Sequence, residues 1–370
     1  MPTSDIFVDF NLLERFMIDV FRRLGMSDPD AAVCAEVLIT ADKHGIDSHG
    51  VSRLKPVYVD RIRAGQVDPK AVPEIVREGP TTVVIDGRNG MGQVVAKMAM
   101  ENAIARAGRL GMGMTAVRNS NHYGIAGYYV SMAAKEGMIG ITGTNARPSV
   151  APTFGVEPMF GTNPLAFGLP TDEPFPFVLD CATSASQRGK IEVAARLGRP
   201  VPDGWAVGRD GKCLRDAGLI LEGLKTGTAS LVPLGGLDES TGGHKGYGYA
   251  TFVEILSSAL SGGAFLNGLA GLAADGMPAT LGFGHFFIAL DVAAFMDQGA
   301  FRKTAGDILR TLRASEKAPG RDRIFTAGEK EYLAWVERKD RGAKLDPALQ
   351  KEILQLKKDF GLTGYRFPFE

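Results

Sequence analysis

The sequence predicts an α/β protein whose strand-and-helix centre is enclosed by helical ends. Apolar residues recur at helical spacing near both termini, whereas between them the pattern switches to short, β-branched runs punctuated by glycine. Composition agrees: 370 residues, 45% hydrophobic and 23% charged, are ordinary for a globular chain of two domains, or of one large domain with an insertion. The expected division is a helical unit from residues 1–75 plus 295–370 around an α/β unit at 76–294.

Leu12, Leu13, Phe16, Met17, Val20 and Phe21 share one helical face, and Gly25 ends the run. A second helix starts near Asp28, carries Ala32, Ala35, Val37 and Leu38, and stops by Gly45. A third is expected over 52–64, with Pro56 in its first turn and Gly65 after it. Strands follow at 82–86, 114–117, 138–142, 165–169, 177–179 and 285–292. Helices are expected at 93–110, 125–135, 186–197, 247–260, 301–313, 329–338 and 347–360. The 47 glycines, about twice the usual share, imply tight turns and close backbone approaches.

Bulk properties exclude several function classes. Lysine plus arginine equals aspartate plus glutamate at 42 each, so the basic excess of a nucleic-acid binder is missing. No run approaches the roughly 20 apolar residues that span a bilayer. The first ten residues carry Asp5 and Asp9 and no basic start, which does not read as a signal peptide. Cys34, Cys181 and Cys213 form neither a disulfide framework nor a metal spacing, which suits a reducing cytoplasm. No histidine pair has zincin spacing, so no metal is expected.

Residue types suited to proton transfer and anion binding concentrate in glycine-bearing segments. His49 lies in Asp47-Ser48-His49-Gly50-Val51-Ser52-Arg53. Imidazole titrates nearest neutrality, a guanidinium four residues on can hold a planar carboxylate, and Ser48 can add a bond. The plainer alternative is a surface helix start capped by Asp47 or Ser48. His122 lies in Asn119-Ser120-Asn121-His122-Tyr123-Gly124, between a strand and a helix, a usual place for active groups or for an asparagine-rich turn. Either ring suits the acid/base role. Asp180 ends an apolar strand, where a carboxylate needs a partner; a histidine is expected, against a simple N-cap. The hydroxyls of Thr183, Ser184 and Ser186 follow, suited to phosphate or ribose. Gly242-Gly243-His244-Lys245-Gly246-Tyr247-Gly248 opens an apolar helix, where glycine amides and a lysine suit an anion, against a flexible loop. His285, in an apolar strand, reads as structural. Gly111-Met112-Gly113-Met114-Thr115-Ala116 matches G-x-G-x-x-A, but a helix precedes it and a strand follows, the reverse of a dinucleotide loop.

In chain order, Ala41-Asp42, Gly45-Ile46, Ser48-His49-Gly50-Val51-Ser52-Arg53-Leu54, the His122 segment, Gly161-Thr162-Asn163-Pro164-Leu165-Ala166, Asp180-Cys181-Ala182-Thr183-Ser184, Gly189-Lys190 and Gly243-His244-Lys245-Gly246-Tyr247-Gly248 span nearly the whole chain. Together they resemble the malate/L-lactate dehydrogenase family, the L-sulfolactate dehydrogenase-like oxidoreductases that stand apart from the Rossmann-fold lactate and malate enzymes. The resemblance implies a non-Rossmann mixed sheet, a cytoplasmic NAD- or NADP-dependent oxidoreductase, and a homodimer or larger homo-oligomer. It implies a small carboxylate substrate: a 2-hydroxy or 2-oxo acid such as malate, lactate, sulfolactate or ureidoglycolate. By position it makes His49 or His122 the proton-transfer residue, with Asp180 orienting the histidine or lining the nicotinamide site. Ser48 and Arg53 fall at the substrate carboxylate. Asn145, Thr162, Asp180, Thr183, Ser184, His244, Lys245, Gly246, Gly328 and Glu329 fall along the cofactor. Three departures stand out: Ala327 replaces the proline of the family's Pro-Gly-Glu, Cys181 a common methionine, and Gln187-Arg188 smaller residues. The expected chemistry is hydride transfer between nicotinamide and C2 of the acid. The alternatives are reduction of a cyclic imine 2-carboxylate on the same fold, and ligand binding without turnover.

Overall fold

The computed structural model describes residues 5–273 and 275–370. The chain opens with β1 (Ile6–Val8), α1 (Phe10–Arg23) and α2 (Asp28–Lys43). Asp9 and Ser27 cap the two helices by accepting from the Leu12 and Asp30 amides. The single helix expected over 52–64 is instead three pieces: a 3-10 turn at Val51–Arg53, a π turn at Leu54–Val59, and the short α3 (Asp60–Arg63). Pro56 supplies the reason. It has no N–H to donate back along the helix, so the ladder cannot close in α register there.

The centre runs β2 (Glu74–Glu78), β3 (Thr82–Asp86), α4 (Gly92–Leu110), β4 (Met112–Ser120), α5 (Ala126–Lys135), β5 (Met138–Thr144), β6 (Leu165–Leu169) and β7 (Phe177–Cys181). A small outlying unit follows: α6 (Arg188–Arg196), β8 (Ala206–Gly208), α7 (Ala217–Thr226) and β9 (Ala229–Leu231). The chain ends with α8 (Gly243–Ser258), β10 (Phe283–Asp291), α9 (Gln298–Ala314), α10 (Glu329–Arg338), β11 (Ala343–Leu345) and α11 (Pro347–Asp359).

The main sheet is mixed and has seven strands in the order β2-β3-β4-β10-β5-β6-β7. Among the described residues of this sheet only β3 and β4 pair in parallel, joined by the α4 crossover. Register places the ends of β4, β5 and β7 beside the start of β10, at one edge of the sheet. Buried His285 fastens that edge: its Nδ1 lies 2.7 Å from Thr144 Oγ1 and its Nε2 2.9 Å from Ser120 Oγ. Burial holds this ring neutral, its pKa lowered to about 3.

One sheet face is covered by α4 and α5, close enough that a Cβ at Gly140 or Gly168 would strike Val130. The opposite face presents Ile139, Ile141, Leu165, Phe167 and Leu169, between α8 on one side and α9 on the other. A separate apolar core joins the chain ends, packing Phe16, Met17 and Leu38 with Ile353, Leu356 and Phe367. Gly111 stops α4 at φ +85° and β4 follows at once, so the G-x-G-x-x-A match is a helix stop with no phosphate-facing helix behind it.

At its start, α4 rests directly on the backbone that carries His122. A Cβ on Gly92 would lie 2.2 Å from the Asn121 carbonyl oxygen and 2.4 Å from that of His122. Gly92→Ala is therefore expected to destabilise the fold by about 1–3 kcal/mol through overpacking. Gly108→Ala, in the same helix but with only the Met138 methyl at 3.5 Å, is expected to stabilise by up to about 1 kcal/mol. Chemical denaturation of the two variants measures the contrast, and equal effects would contradict it.

Candidate active site

A cavity of about 410 Å³ opens at that sheet edge. Ser48, His49 and Arg53 reach it from the loop after α2, His122 from the end of β4, Asp180 from β7, and Thr162 from the segment before β6. The start of α6, at Gln187, Arg188 and Gly189, and Glu331 of α10 complete the wall.

The 47–53 loop is held from behind. Buried Asp42 of α2 accepts the Val51 amide at 2.8 Å, and a Cβ on Gly50 would lie 2.1 Å from the same carboxyl. Arg338 of α10 donates to the Asp42 carbonyl at 2.9 Å and to the Asp47 carboxylate at 3.0 Å. Arg53 folds its Nε onto the Ser48 carbonyl.

The two histidine rings stack at 6.0 Å between centroids, with their planes 22° apart. Their partners differ in kind. His49 Nδ1 lies 2.9 Å from Ser48 Oγ, a hydroxyl that can donate or accept. His122 Nδ1 lies 2.7 Å from Tyr58 Oη and takes the Gly124 amide at 3.3 Å. A backbone amide can only donate, so His122 Nδ1 is an acceptor and the neutral ring carries its proton on Nε2.

Both rings are kept neutral. Burial, followed by the nearby Arg53 charge, lowers His49 to about 4. Burial, then His49, Arg61, Arg53 and His285, puts His122 well below the ordinary imidazole value. Asp180 does not pair with a histidine, as the sequence suggested. Its carboxylate accepts the Gly127 amide at 2.7 Å and also that of Ala126, in the first turn of α5. An unoccupied helix N-terminus competes well for a carboxylate. Burial nevertheless raises Asp180 to about 6; the two amides pull it down and Glu331 pushes it up.

Ser48, His49, Arg53, His122, Thr162 and Asp180 thus share one cavity. The other expected positions lie outside its lining. Asn145 is fully buried, its Oδ1 accepting from Gly284 and its Nδ2 donating to Ala264. The Thr183 hydroxyl donates to the Thr162 and Asn163 carbonyls, and that of Ser184 to Ser186. Exposed His244 and Lys245 stand in the first turn of α8 with Gly246, whose Cβ would meet the Leu234 carbonyl at 2.1 Å. Leu234 in turn donates to the Thr183 carbonyl at 2.8 Å, so the cavity wall and the start of α8 are bound to one strip of backbone. Gly328 caps α10 at φ +89°. Burial pushes the Glu329 carboxyl up, but the Thr326 amide with Arg323 and Arg313 outweighs it and holds the group below its ordinary range.

Sequence reasoning missed Tyr58, Arg61 and Glu331. One signal was available: Arg53, Val57 and Arg61 recur every four residues and all three line the cavity. Tyr58 escapes that spacing because the wider π turn brings it round instead.

Two buried polar atoms beside this wall, Asn163 Oδ1 and Ser186 Oγ, have no partner among the described residues. His244 and Lys245, exposed in the first turn of α8, add polar and cationic groups suited to a phosphate-linked cofactor, while the Gly243 and Lys245 amides there donate to the Asp238 and Gly242 carbonyls.

Comparison with known proteins agrees with this architecture. A family model described as malate/L-lactate dehydrogenase matches residues 8–354. The malate dehydrogenase of Pyrococcus horikoshii is 41% identical over 349 residues, 94% of each chain. The L-sulfolactate dehydrogenase of Methanocaldococcus jannaschii is 38% identical over 350 residues, covering 95% of this chain and 96% of its own. The crystal structure of malate dehydrogenase from Entamoeba histolytica superposes with a TM-score of 0.94 at 46% identity, covering 97% of this chain and 99% of that one.

The site makes a titration prediction. With its pKa lowered from 6.5 to about 4, the His49 ring stays neutral at pH 5 while it would be charged in the unfolded chain. The fold therefore loses stability as pH falls from about 6.5 towards 4, because the unfolded state binds the proton first. NMR titration of the free protein is expected to show neutral His49 and His122 rings at pH 5. A resonance of either ring titrating near 6.5 would overturn this electrostatic picture.

Proposed function

The chain belongs to the malate/L-lactate dehydrogenase family, and we propose that it interconverts small 2-hydroxy and 2-oxo acids at C2, in the manner of malate and lactate, with NAD or NADP as partner. The observation that carries the assignment of roles is the difference between the two rings. The hydroxyl beside His49 serves either protonation state, whereas the amide beside His122 serves only one.

When bound, the nicotinamide ring supplies or accepts the hydride at C2. Thr162 and Asp180 would lie along it, and His244, Lys245 and the Gly246 backbone would meet its phosphates at the start of α8. Asn145, Thr183, Ser184, Gly328 and Glu329 support the walls rather than touch it.

Arg53 and Ser48 hold the substrate carboxylate. His122, with its proton on Nε2, donates a hydrogen bond to the oxygen on C2 and polarises the carbonyl without giving up the proton. His49 moves the proton. In oxidation its neutral ring takes the hydroxyl proton, and in reduction its charged ring protonates the developing alkoxide. An arriving carboxylate beside Arg53 raises the His49 pKa, since an opposite charge within a few ångströms favours imidazolium. Substrate binding thus prepares the acid that reduction requires.

The exposed sheet face supports a homo-oligomer. Its half-buried apolar strand residues are flanked by Phe252 at 51% and Ile308 at 55% exposure, apolar surface of the kind that a second copy buries. The cytoplasm suits three cysteines that are all free.

Three measurements test this reading. Loss of reduced nicotinamide absorbance, followed with NADH and NADPH in turn, is expected with oxaloacetate or pyruvate. Turnover restricted to a cyclic imine carboxylate would instead place the chain with the imine reductases. His49→Ala should lower kcat by about 100-fold or more, and His122→Gln, which keeps a donor, by about 10-fold; the reverse order would exchange the roles. Light scattering should give at least twice the 39.4 kDa chain mass, and Phe252→Glu should shift it towards the monomer.

A further inference from the structure

Glu331 lines the cavity from the first turn of α10, half-buried, and makes no hydrogen bond or ion pair among the described residues. Its neighbours in the chain are anchored. Gly328 rests on the backbone just before β7, where a Cβ would lie 2.5 Å from the Pro176 carbonyl oxygen. Buried Glu329 accepts the Thr326 amide at 3.0 Å and also pairs with Arg323. The Tyr332 ring stacks on Phe175, with centroids 5.3 Å apart. The first turn of α10 is thus bound to the chain that enters β7, the strand carrying Asp180. Glu331 is held at that side of the cavity.

The cavity is divided by charge. The charged group acting on Asp180 is Glu331, whereas Arg53 acts on His49, and Arg61 with Arg53 on His122. One side is acidic and the other basic. Two carboxylates that act on each other repel, and a positive charge arriving beside them relieves the repulsion. The substrate carboxylate belongs on the basic side. Of the groups assigned to this cavity, the oxidised nicotinamide ring is the cation, and it becomes neutral on accepting the hydride from C2.

Resting on the reading of this cavity as a nicotinamide-dependent dehydrogenase site, we propose that Glu331 sets the preference between the two oxidation states of the cofactor, by placing a negative charge beside a ring that is cationic only when oxidised. The acidic side then draws the oxidised ring while the basic side draws the substrate carboxylate, which brings ring and C2 together across the middle. Hydride transfer from C2 removes the charge that Glu331 attracts, so the reduced form is held less tightly than the oxidised form would be with the same contacts.

The test is calorimetric titration of the substrate-free protein with oxidised and reduced cofactor, using the NAD and NADP pairs in turn. The readout is the ratio of the two Kd values. E331Q is expected to raise Kd for the oxidised form about 3- to 10-fold, discounted for partial exposure, and to leave the reduced form within about 2-fold. E331K, which reverses the charge, should move the ratio further in the same direction. Retained binding of the reduced form shows that both variants fold. Equal weakening of both forms overturns the proposal, because Glu331 would then shape the wall or serve only the first turn of α10. An unchanged ratio overturns it too. If the native protein binds neither form of either pair, the nicotinamide reading fails and this inference with it; binding with a ratio indifferent to Glu331 fails this inference alone.

Discussion

The site depends on one carboxylate placed at the head of one helix. Asp180 leaves the edge strand β7 and caps α5 through the Gly127 and Ala126 amides. The segment from His122 to Ile125 runs straight into α5, so this contact sets where the His122 ring stands relative to β7. A Cβ on Gly127 would lie 3.3 Å from the Asp180 carboxylate, leaving little slack. The amides favour the ionised acid and burial disfavours it, which leaves the group near 6. At neutral pH the contact is a charged one, but by a small margin, and acid weakens it.

Burial first, and the basic side of the cavity second, keep its histidines neutral. Burial and Arg53 withhold the proton from His49. In the proposed reaction the same guanidinium attracts the substrate carboxylate, whose arrival would reverse the balance. Because proton uptake and anion binding act on each other through one shared field, each must strengthen the other to the same degree. His122 stays outside this exchange. Protonating its Nδ1 would set a donor against the Gly124 amide, which suits the directional hydrogen bonding proposed for it. Tyr58 reinforces that assignment, since burial raises its phenol far above the ordinary range and keeps it a donor at every working pH.

Much of this was legible where local physics decides the outcome. The alternating run at Thr82–Asp86 and the helix at Glu329–Arg338 fall where the pattern places them, and Gly111 reads correctly as a helix stop. The misses share a cause. β2 is Glu-Ile-Val-Arg-Glu, an edge strand exposed throughout and therefore without a buried face to alternate. β1 and β11 are three residues each and exist only because they pair with one another across the chain. Asp180 was recognised as a group needing a partner, but that partner is a helix start more than fifty positions away, which no local spacing reports. Tyr58 was hidden by the assumption of one regular helix through Pro56, whereas Arg61 stood at helical spacing from Arg53 and was passed over.

The helical ends bear on the cavity because the 47–53 loop is suspended from them. Asp42 grips the loop from α2, and Arg338 grips both Asp42 and Asp47 from α10, the helix that also brings Glu331 to the cavity. The Arg338–Asp47 pair is partly exposed, at 13% and 45% of the side chains, so its contribution to stability is modest. Its consequence is geometric: it fixes the loop to a helix from the far end of the chain. Asp42 matters for charge. Burial raises it to about 8, with the Val51 amide opposing and Asp47 adding, so at neutral pH it is mostly uncharged. An ionised acid behind the loop would cancel part of the field of Arg53 and Arg61. A protonated one holds the loop through the same Val51 bond and leaves that field intact in the cavity.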